Sequence, residues 1–291
     1  DAGLAISSAI KSAAGATGTF NWTAALSARG VTIVGAFRAK YNIQADFGSY
    51  SFTGQDVTEP GVTTVRTSVG RSLGSTTPGG NVVRFTSAAL GTAAADRIIA
   101  LAVQFASGDN VGIPSSITIG GVTATITAFV DDSAVTGQYN FTAYAVVPTG
   151  TTGDIDIVCT TDPSANSHGF QFATWAVYGA AATIYDSKVA ADSATAFDAD
   201  TTINVKRFGK VVGNAQGPGY LTTPAVTWTG MNETYDVSES IINYSEAEYW
   251  SGADETARVV VATATGTSLL GNYQALCLLS FAPAGTEAIL T

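Results

Sequence analysis

Gly70-Arg71-Ser72-Leu73-Gly74 has the G-x-S-x-G spacing. On a sharp strand-to-helix turn that spacing exposes a nucleophilic serine. A Ser-His-Asp relay on it would have to use His168, the one histidine in the chain. Asp131, Asp132, Asp154 or Asp162 could be the third member, and spacing selects none of them. No strong strand precedes Ser72, and STTPGGN follows it in place of a helix. Ser72 therefore reads as a linker hydroxyl, and His168, in NSHGF just before a strand, as a turn or surface residue. The paired carboxylates are Asp131/Asp132, Asp154/Asp156, Asp198/Asp200, Glu246/Glu248 and Asp254/Glu255. A glycosidase needs two carboxyl groups about 5 to 10 Å apart across a cleft. The i, i+2 pairs Asp154/Asp156 and Glu246/Glu248 each point to one face of a strand, which suits a solvated face at least as well.

Other chemistries leave thinner traces. Calcium takes six to eight oxygens, often from loop carboxylates, and Asp198 and Asp200 in Phe197-Asp-Ala-Asp200 are the candidates, without the D-x-D-x-D-G series and closing Glu. No other cofactor is expected. One histidine and two distant cysteines cannot make a zinc site, and no phosphate-cradling or dinucleotide fingerprint is present. Cys159 and Cys277 both lie in apolar stretches and read as two buried thiols or as one staple. Trp22, Trp175, Trp228 and Trp250 are spread through the chain. Trp175 and Trp228 lie in apolar strands and read as core. Tyr249-Trp250 ends a strand beside Ser-Gly-Ala-Asp and is the candidate for carbohydrate or host-surface contact. Asn21, Asn140, Asn232 and Asn243 match the N-glycosylation pattern, as chance allows in a chain so rich in Thr and Ser.

Composition bounds the rest. The 291 residues are 46% hydrophobic and only 12% charged, with 23 acids against 13 bases and a net charge of -10. Soluble domains average about 25% charged. An acidic balance excludes a nucleic-acid binder working through phosphate neutralisation, 10% aromatics argue against disorder, and no apolar run is long enough for a membrane helix. The chain begins at Asp1 and its one methionine is Met231. A native N-terminus, with any signal peptide, is expected to precede it.

The elements that would position these residues are nearly all strands. Val, Ile, Thr, Phe and Tyr alternate with small polar residues, punctuated by Gly, Asn, Asp or Pro. Asp154–Cys159 shows the period, with Asp154 and Asp156 on one side and Ile155, Ile157 and Cys159 on the other. Residues 1–14 read as a short helix. Ile117-Thr-Ile-Gly-Gly-Val-Thr-Ala-Thr125 echoes Val226-Thr-Trp-Thr-Gly-Met-Asn-Glu-Thr234, Gly120-Gly121 reading as a turn. Phe170, Phe172, Ala176 and Tyr178 echo Tyr273, Ala275, Leu279 and Phe281. Repetition at about 100 residues is the size of one β-sandwich. The expected fold is all-β: two tandem antiparallel sandwiches, jelly-roll or Ig-like, at 83–181 and 182–291. They follow an N-terminal arm with a helix and strand (1–50) and a Gly/Thr/Ser-rich linker with an edge strand (51–82).

Four segments, Arg97-Ile-Ile-Ala-Leu-Ala-Val, Ser116-Ile-Thr-Ile-Gly-Gly-Val-Thr-Ala-Thr125, Ala143-Tyr-Ala-Val-Val-Pro-Thr-Gly-Thr-Thr-Gly-Asp-Ile-Asp-Ile157 and Phe172-Ala-Thr-Trp-Ala-Val-Tyr178, come in that order. The series resembles β-sandwich virion proteins of tailed bacteriophages. Ala45-Asp-Phe-Gly-Ser-Tyr-Ser-Phe-Thr-Gly-Gln-Asp56 is similar to a short repeat of phage tail-associated proteins. The resemblance covers roughly residues 45–180 and carries no catalytic residues. It implies a non-enzymatic virion protein, tail-associated or capsid-decorating. Its partners would be copies of itself, other virion proteins and a host-surface glycan. The alternatives are a secreted bacterial surface or filament-forming sandwich, and a carbohydrate-binding module or glycosidase.

Overall fold

The computed structural model describes residues 20–26, 29–35, 43–45, 48–50, 61–72, 80–107, 114–131, 138–162, 167–192, 198–217, 225–239, 242–265 and 274–284. The expected helix at 1–14 lies outside them. Two compact units divide the chain, Asp1–Glu59 and Pro60–Thr291. In the first, β1 (Phe20–Leu26) pairs antiparallel with β2 (Arg29–Gly35), and β3 (Ile43–Ala45) with β4 (Gly48–Tyr50).

The second unit is all-β among its described residues. Its strands are β5 (Thr63–Ser72), β6 (Val82–Ala89), β7 (Ile98–Ser107), β8 (Pro114–Ile119), β9 (Val122–Thr123), β10 (Thr125–Asp131), β11 (Gln138–Val146), β12 (Thr152–Cys159) and β13 (Ser167–Tyr178), then β14 (Asp186–Asp192), β15 (Asp198–Val205), β16 (Lys210–Gly217), β17 (Ala225–Thr229), β18 (Asn232–Glu239), β19 (Ile242–Trp250), β20 (Glu255–Thr265) and β21 (Gln274–Phe281). They form four antiparallel sheets: I (β6-β12-β8-β9), II (β10-β11-β7-β13-β5), III (β14-β21-β16-β19-β18) and IV (β15-β20-β17). Apart from the short β9, the two halves repeat one plan. Sheets II and III both run first-eighth-third-sixth-fifth, and sheets I and IV both run second-seventh-fourth.

Each sheet needs an apolar face covered, and three buried clusters do this. Val83, Phe85, Ile117, Ile155, Phe141 and Phe172 fill the space between I and II. Ile203, Val211, Val226, Val260 and Leu278 fill that between III and IV. A third cluster, with Ile98, Ala100, Trp175, Val212, Leu279 and Phe281, lies between II and III. The layers therefore stack I–II–III–IV, and sheets II and III are covered on both faces. That is why β21 (QALCLLSF) is buried at every position and reads as a continuous apolar run with no alternation. At the outer sheets the alternation returns. In β12 Ile155, Ile157 and Cys159 point inward while Asp154 and Asp156 face out.

Local devices repeat as well. Gly120 and Gly121, with φ of 57° and 80°, close the β8–β9 hairpin in the left-handed pair that a two-residue turn requires. Gly230, φ 85°, sits at the turn between β17 and β18. Each half also carries a bulge against its outer sheet. Ser87 (φ 55°) gives its N–H to Asp154 Oδ1 at 2.9 Å, and Ala257 (φ 55°) gives its N–H to Asn204 Oδ1 at 3.0 Å. A bulge frees one amide from the ladder, and a short side chain from the opposite strand accepts it. The bulge is on the second strand of the first half and on the seventh strand of the second.

Where the halves meet, Ala181 N–H donates to Ala282 O (2.9 Å) and Ala284 N–H donates to Gly179 O (2.8 Å). Ala180 bridges Pro283. These two bonds are the reciprocal pair of a single antiparallel bridge.

Within 51–82, where an edge strand is expected, residues 63–72 form β5, at the edge of sheet II and paired with β13 from Thr63↔Tyr178 to Ser72↔Phe170. One expectation needs correcting: the echo of the last strand is one residue out of face. Phe170, Phe172 and Ala176 point into the I/II core, whereas Leu279 and Phe281 point into the II/III core. A slip of one residue turns every side chain to the other face. The other echo keeps its faces, since Ile117 and Ile119, like Val226 and Trp228, pack into their own cores.

Candidate functional site

Most of the chemistry-bearing residues are spent on structure. Ser72 lies in an extended strand, its backbone paired to Phe170, two residues along β13 from His168. Gly70 of the same motif packs on the Phe172 ring, which a Cβ there would meet at 2.3 Å. Ser72 is the last residue of this strand. His168 sits at the bulge that opens the β13–β7 ladder, between Ser167 and Gly169. Asp154 holds the Ser87 amide, and Asp156 takes a two-bonded fork from Arg84 (2.5 and 2.8 Å). Asp198 and Asp200 stand exposed on the outer side of β15, a strand. Among the described residues no group of three or more His, Cys, Asp or Glu could hold a metal ion. The Asn140 side chain is fully buried, so that sequon cannot accept a glycan in the folded chain.

Cys159 and Cys277 are both free and buried, which removes the staple. Cys159 lies in the I/II core, while the Cys277 thiol donates to Asn140 O across the II/III seam (3.3 Å). Burial pushes the Cys159 thiol up to about 12 and the Cys277 thiol further still. Reactivity follows the thiolate. Neither thiol is therefore expected to react with an aromatic disulfide reagent at pH 8 in the folded chain, and both should react in denaturant. Fast labelling of either native thiol would contradict the packing.

Tyr249 and Trp250 separate. Successive strand residues face opposite sides, and Tyr249 turns toward the III/IV core. There its hydroxyl donates to Glu255 Oε1 (2.6 Å) and its ring lies beneath Arg258, 3.3 Å from ring centroid to Cζ. Burial raises the Tyr249 hydroxyl, and Glu255 adds to that. Glu255 is pushed up by burial, but Ser251, Tyr249 and Arg258 together bring it below its ordinary value. Trp250 lies on the other side, 48% exposed. Its ring centroid is 6.1 Å from that of Phe208, and Arg207 caps the Phe208 ring at 4.3 Å. Phe208 has φ 60°, unusual for a bulky residue, and is held by Phe208 N–H to Ser251 O (2.7 Å) and Val62 N–H to Phe208 O (2.8 Å).

Glu246 and Glu248 do share a face, and it is the II/III seam. Glu248 accepts from Thr64 Oγ1 on β5 (2.6 Å) and from Lys210 Nζ on β16 (3.2 Å). Glu246 is fully buried. One of its oxygens lies 3.5 Å from Arg66 Nη1 of β5; the other, Oε1, has no donor in good hydrogen-bond geometry, although the buried Tyr244 hydroxyl on the same strand face also favours the ionised carboxylate. Arg66 in turn lies over the Tyr235 ring at 4.7 Å. Burial lifts the Glu246 carboxyl to about 7 against the pull of Arg66. Further along, Asn140 Nδ2 donates to Ala275 O (3.3 Å), and Asn214 Nδ2 donates to Asn140 Oδ1. The sequence pointed to the Glu246/Glu248 pair. It gave no sign of Arg66, Asn140 or Asn214.

No known protein family, curated protein or solved structure matches the chain. No helix of the described residues is long and apolar enough to cross a membrane.

Proposed function

We propose that the chain is a non-enzymatic structural protein that assembles in many copies, as a tail-associated or capsid-decorating component of a tailed-phage virion. One observation carries this reading. The two halves share a strand order and pack sheet face to sheet face, as two subunits of a homodimer would. A unit whose broad sheet face already serves as an interface between copies is suited to larger assemblies. The order first-eighth-third-sixth in one sheet and second-seventh-fourth in the other supports a jelly-roll reading of each half. Engagement of the paired carboxylates in bulges, forks and the seam further favours structure over turnover.

Light scattering and negative-stain imaging of the purified full chain should find a regular multimer, or the protein on particles in infected-cell lysate. A strict monomer at every concentration, absent from particles, would overturn the reading. Location on the cell wall would favour the secreted surface protein instead. The exposed Trp250 favours one additional role, glycan adhesion. Trp250→Ala should then abolish retention on a column of host surface glycan with an unchanged melting temperature, and unchanged retention would remove that role.

A further inference from the structure

Sheets II and III meet across a seam that is apolar at one end and polar toward the other, and Glu246 is the carboxylate enclosed within it. Its fellow acceptor is close. Asn214 is the register partner of Glu246 on the neighbouring strand, so both side chains rise from the same face at adjacent positions. The Asn214 orientation is set by its own donation to Asn140 Oδ1, because Asn140 must present its Nδ2 to Ala275 O. Asn214 Oδ1 therefore faces the seam without a donor, as does Glu246 Oε1. The Tyr244 hydroxyl, buried on the same face and itself unpaired, can serve only one of these two acceptors, and an acceptor left unpaired in the interior is costly.

We infer that Glu246 is a proton-binding site that closes the seam between the two stacked halves, its carboxyl O–H supplying the second hydrogen that the Glu246 and Asn214 acceptors need beside the one from Tyr244. The surroundings decide how tightly the proton is held. From its own strand come Tyr244, whose hydroxyl favours the ionised carboxylate, and Glu248, which opposes ionisation. From β5 comes Arg66, which favours ionisation, and from β16 Lys210, already committed to Glu248. From β18 comes Tyr235, stacked under Arg66. From β13 the indole of Trp175, in the same buried cluster as Tyr244, brings no charge. Among the described residues Arg66 is the cation paired with Glu246. It is 34% exposed at the sheet edge, so water shares its charge and burial prevails.

The direction of the pH effect follows. In the folded chain Glu246 keeps its proton up to about 7, whereas unfolded it would release it near the ordinary carboxylate value. The folded state then binds more protons across that window, so stability is greatest below it and falls as pH rises toward about 7. Above that value the contribution of this group is gone.

The test is thermal and denaturant unfolding of the full chain from pH 4.5 to 8.5, with amide exchange followed on β5. Wild type should lose roughly 100-fold in its folding equilibrium across the window, and β5 amides, corrected for intrinsic rate, should open faster at pH 8. Glu246→Gln, a neutral isostere that can also donate to Asn214, should flatten both profiles. Arg66→Met removes the cation and should move the transition to higher pH. A Glu246→Gln profile that keeps the wild-type slope would overturn the inference. So would an Arg66→Met transition that does not move. Should Glu246→Gln fail to fold, a flat wild-type profile between pH 5 and 8 would overturn it equally.

Discussion

Arg97→Ala is expected to destabilise the chain by about 4 kcal/mol. Arg97 is fully buried just ahead of β7. Its guanidinium donates Nε to Val147 O (2.8 Å), Nη1 to Gly91 O (2.9 Å) and Nη2 to Thr149 O (2.8 Å). One planar fork thus ties the β6–β7 connection to the β11–β12 connection. Bonds to a charged group contribute about 1.5–3 kcal/mol each, and truncation also leaves buried carbonyls unpaired. Arg97→Lys should recover little, since one ammonium cannot reach three separated carbonyls. Denaturant midpoints would measure this, and a loss below about 1 kcal/mol would show that the clamp is dispensable. The second half closes the same place differently. Val147 N–H to Arg97 O has its counterpart in Ser251 N–H to Gly209 O, and there the Ser251 hydroxyl, bonded to Ala253 O and Glu255, holds the turn.

Trp175→Ala should cost about 3–5 kcal/mol, as buried aromatic truncations do. Trp175 is fully buried in the II/III cluster with Val212, Tyr244 and Leu279, so its loss opens a cavity where the halves meet. The informative partner is Trp175→Phe. The indole N–H has no acceptor, so phenylalanine sacrifices no hydrogen bond and should cost only about 1 kcal/mol. Equal losses for the two variants would mean that the indole nitrogen has a partner after all.

These two sites differ in how far the sequence reveals them. Trp175 in an apolar strand reads as core, and it is core. Arg97 opens the run RIIALAV and offers no sign that it is enclosed, because its three acceptors are main-chain carbonyls of two other connections. The continuous apolar runs of β7 and β21 did hold a further signal. Strands buried on one face alternate, and these do not, which is what a sheet covered on both sides requires. Among the strands that escaped reading are β6, β14, β15 and β18, rich in Ala, Ser, Thr, Asp and Glu. All four are edge strands with few large apolar residues to show a period, and in β15 Asp198 and Asp200 face out. Glu246 and Glu248 were recognisable as one strand face. That the face is sealed by Arg66 and Thr64, about 180 residues earlier, was not.

The amino-acid order alone determined that this chain is built of antiparallel strands, that its second part repeats its first, and which side of β12 is wet. It could do so because pleat, turn and bulge chemistry act over a few residues. Only the tertiary structure decided that the two copies stack with their broad sheets together, that the last-strand echo is turned by one residue, and that an acid lies enclosed between them. Those outcomes depend on which surfaces meet, and residues that meet across stacked sheets leave no mark on each other's neighbours in the chain.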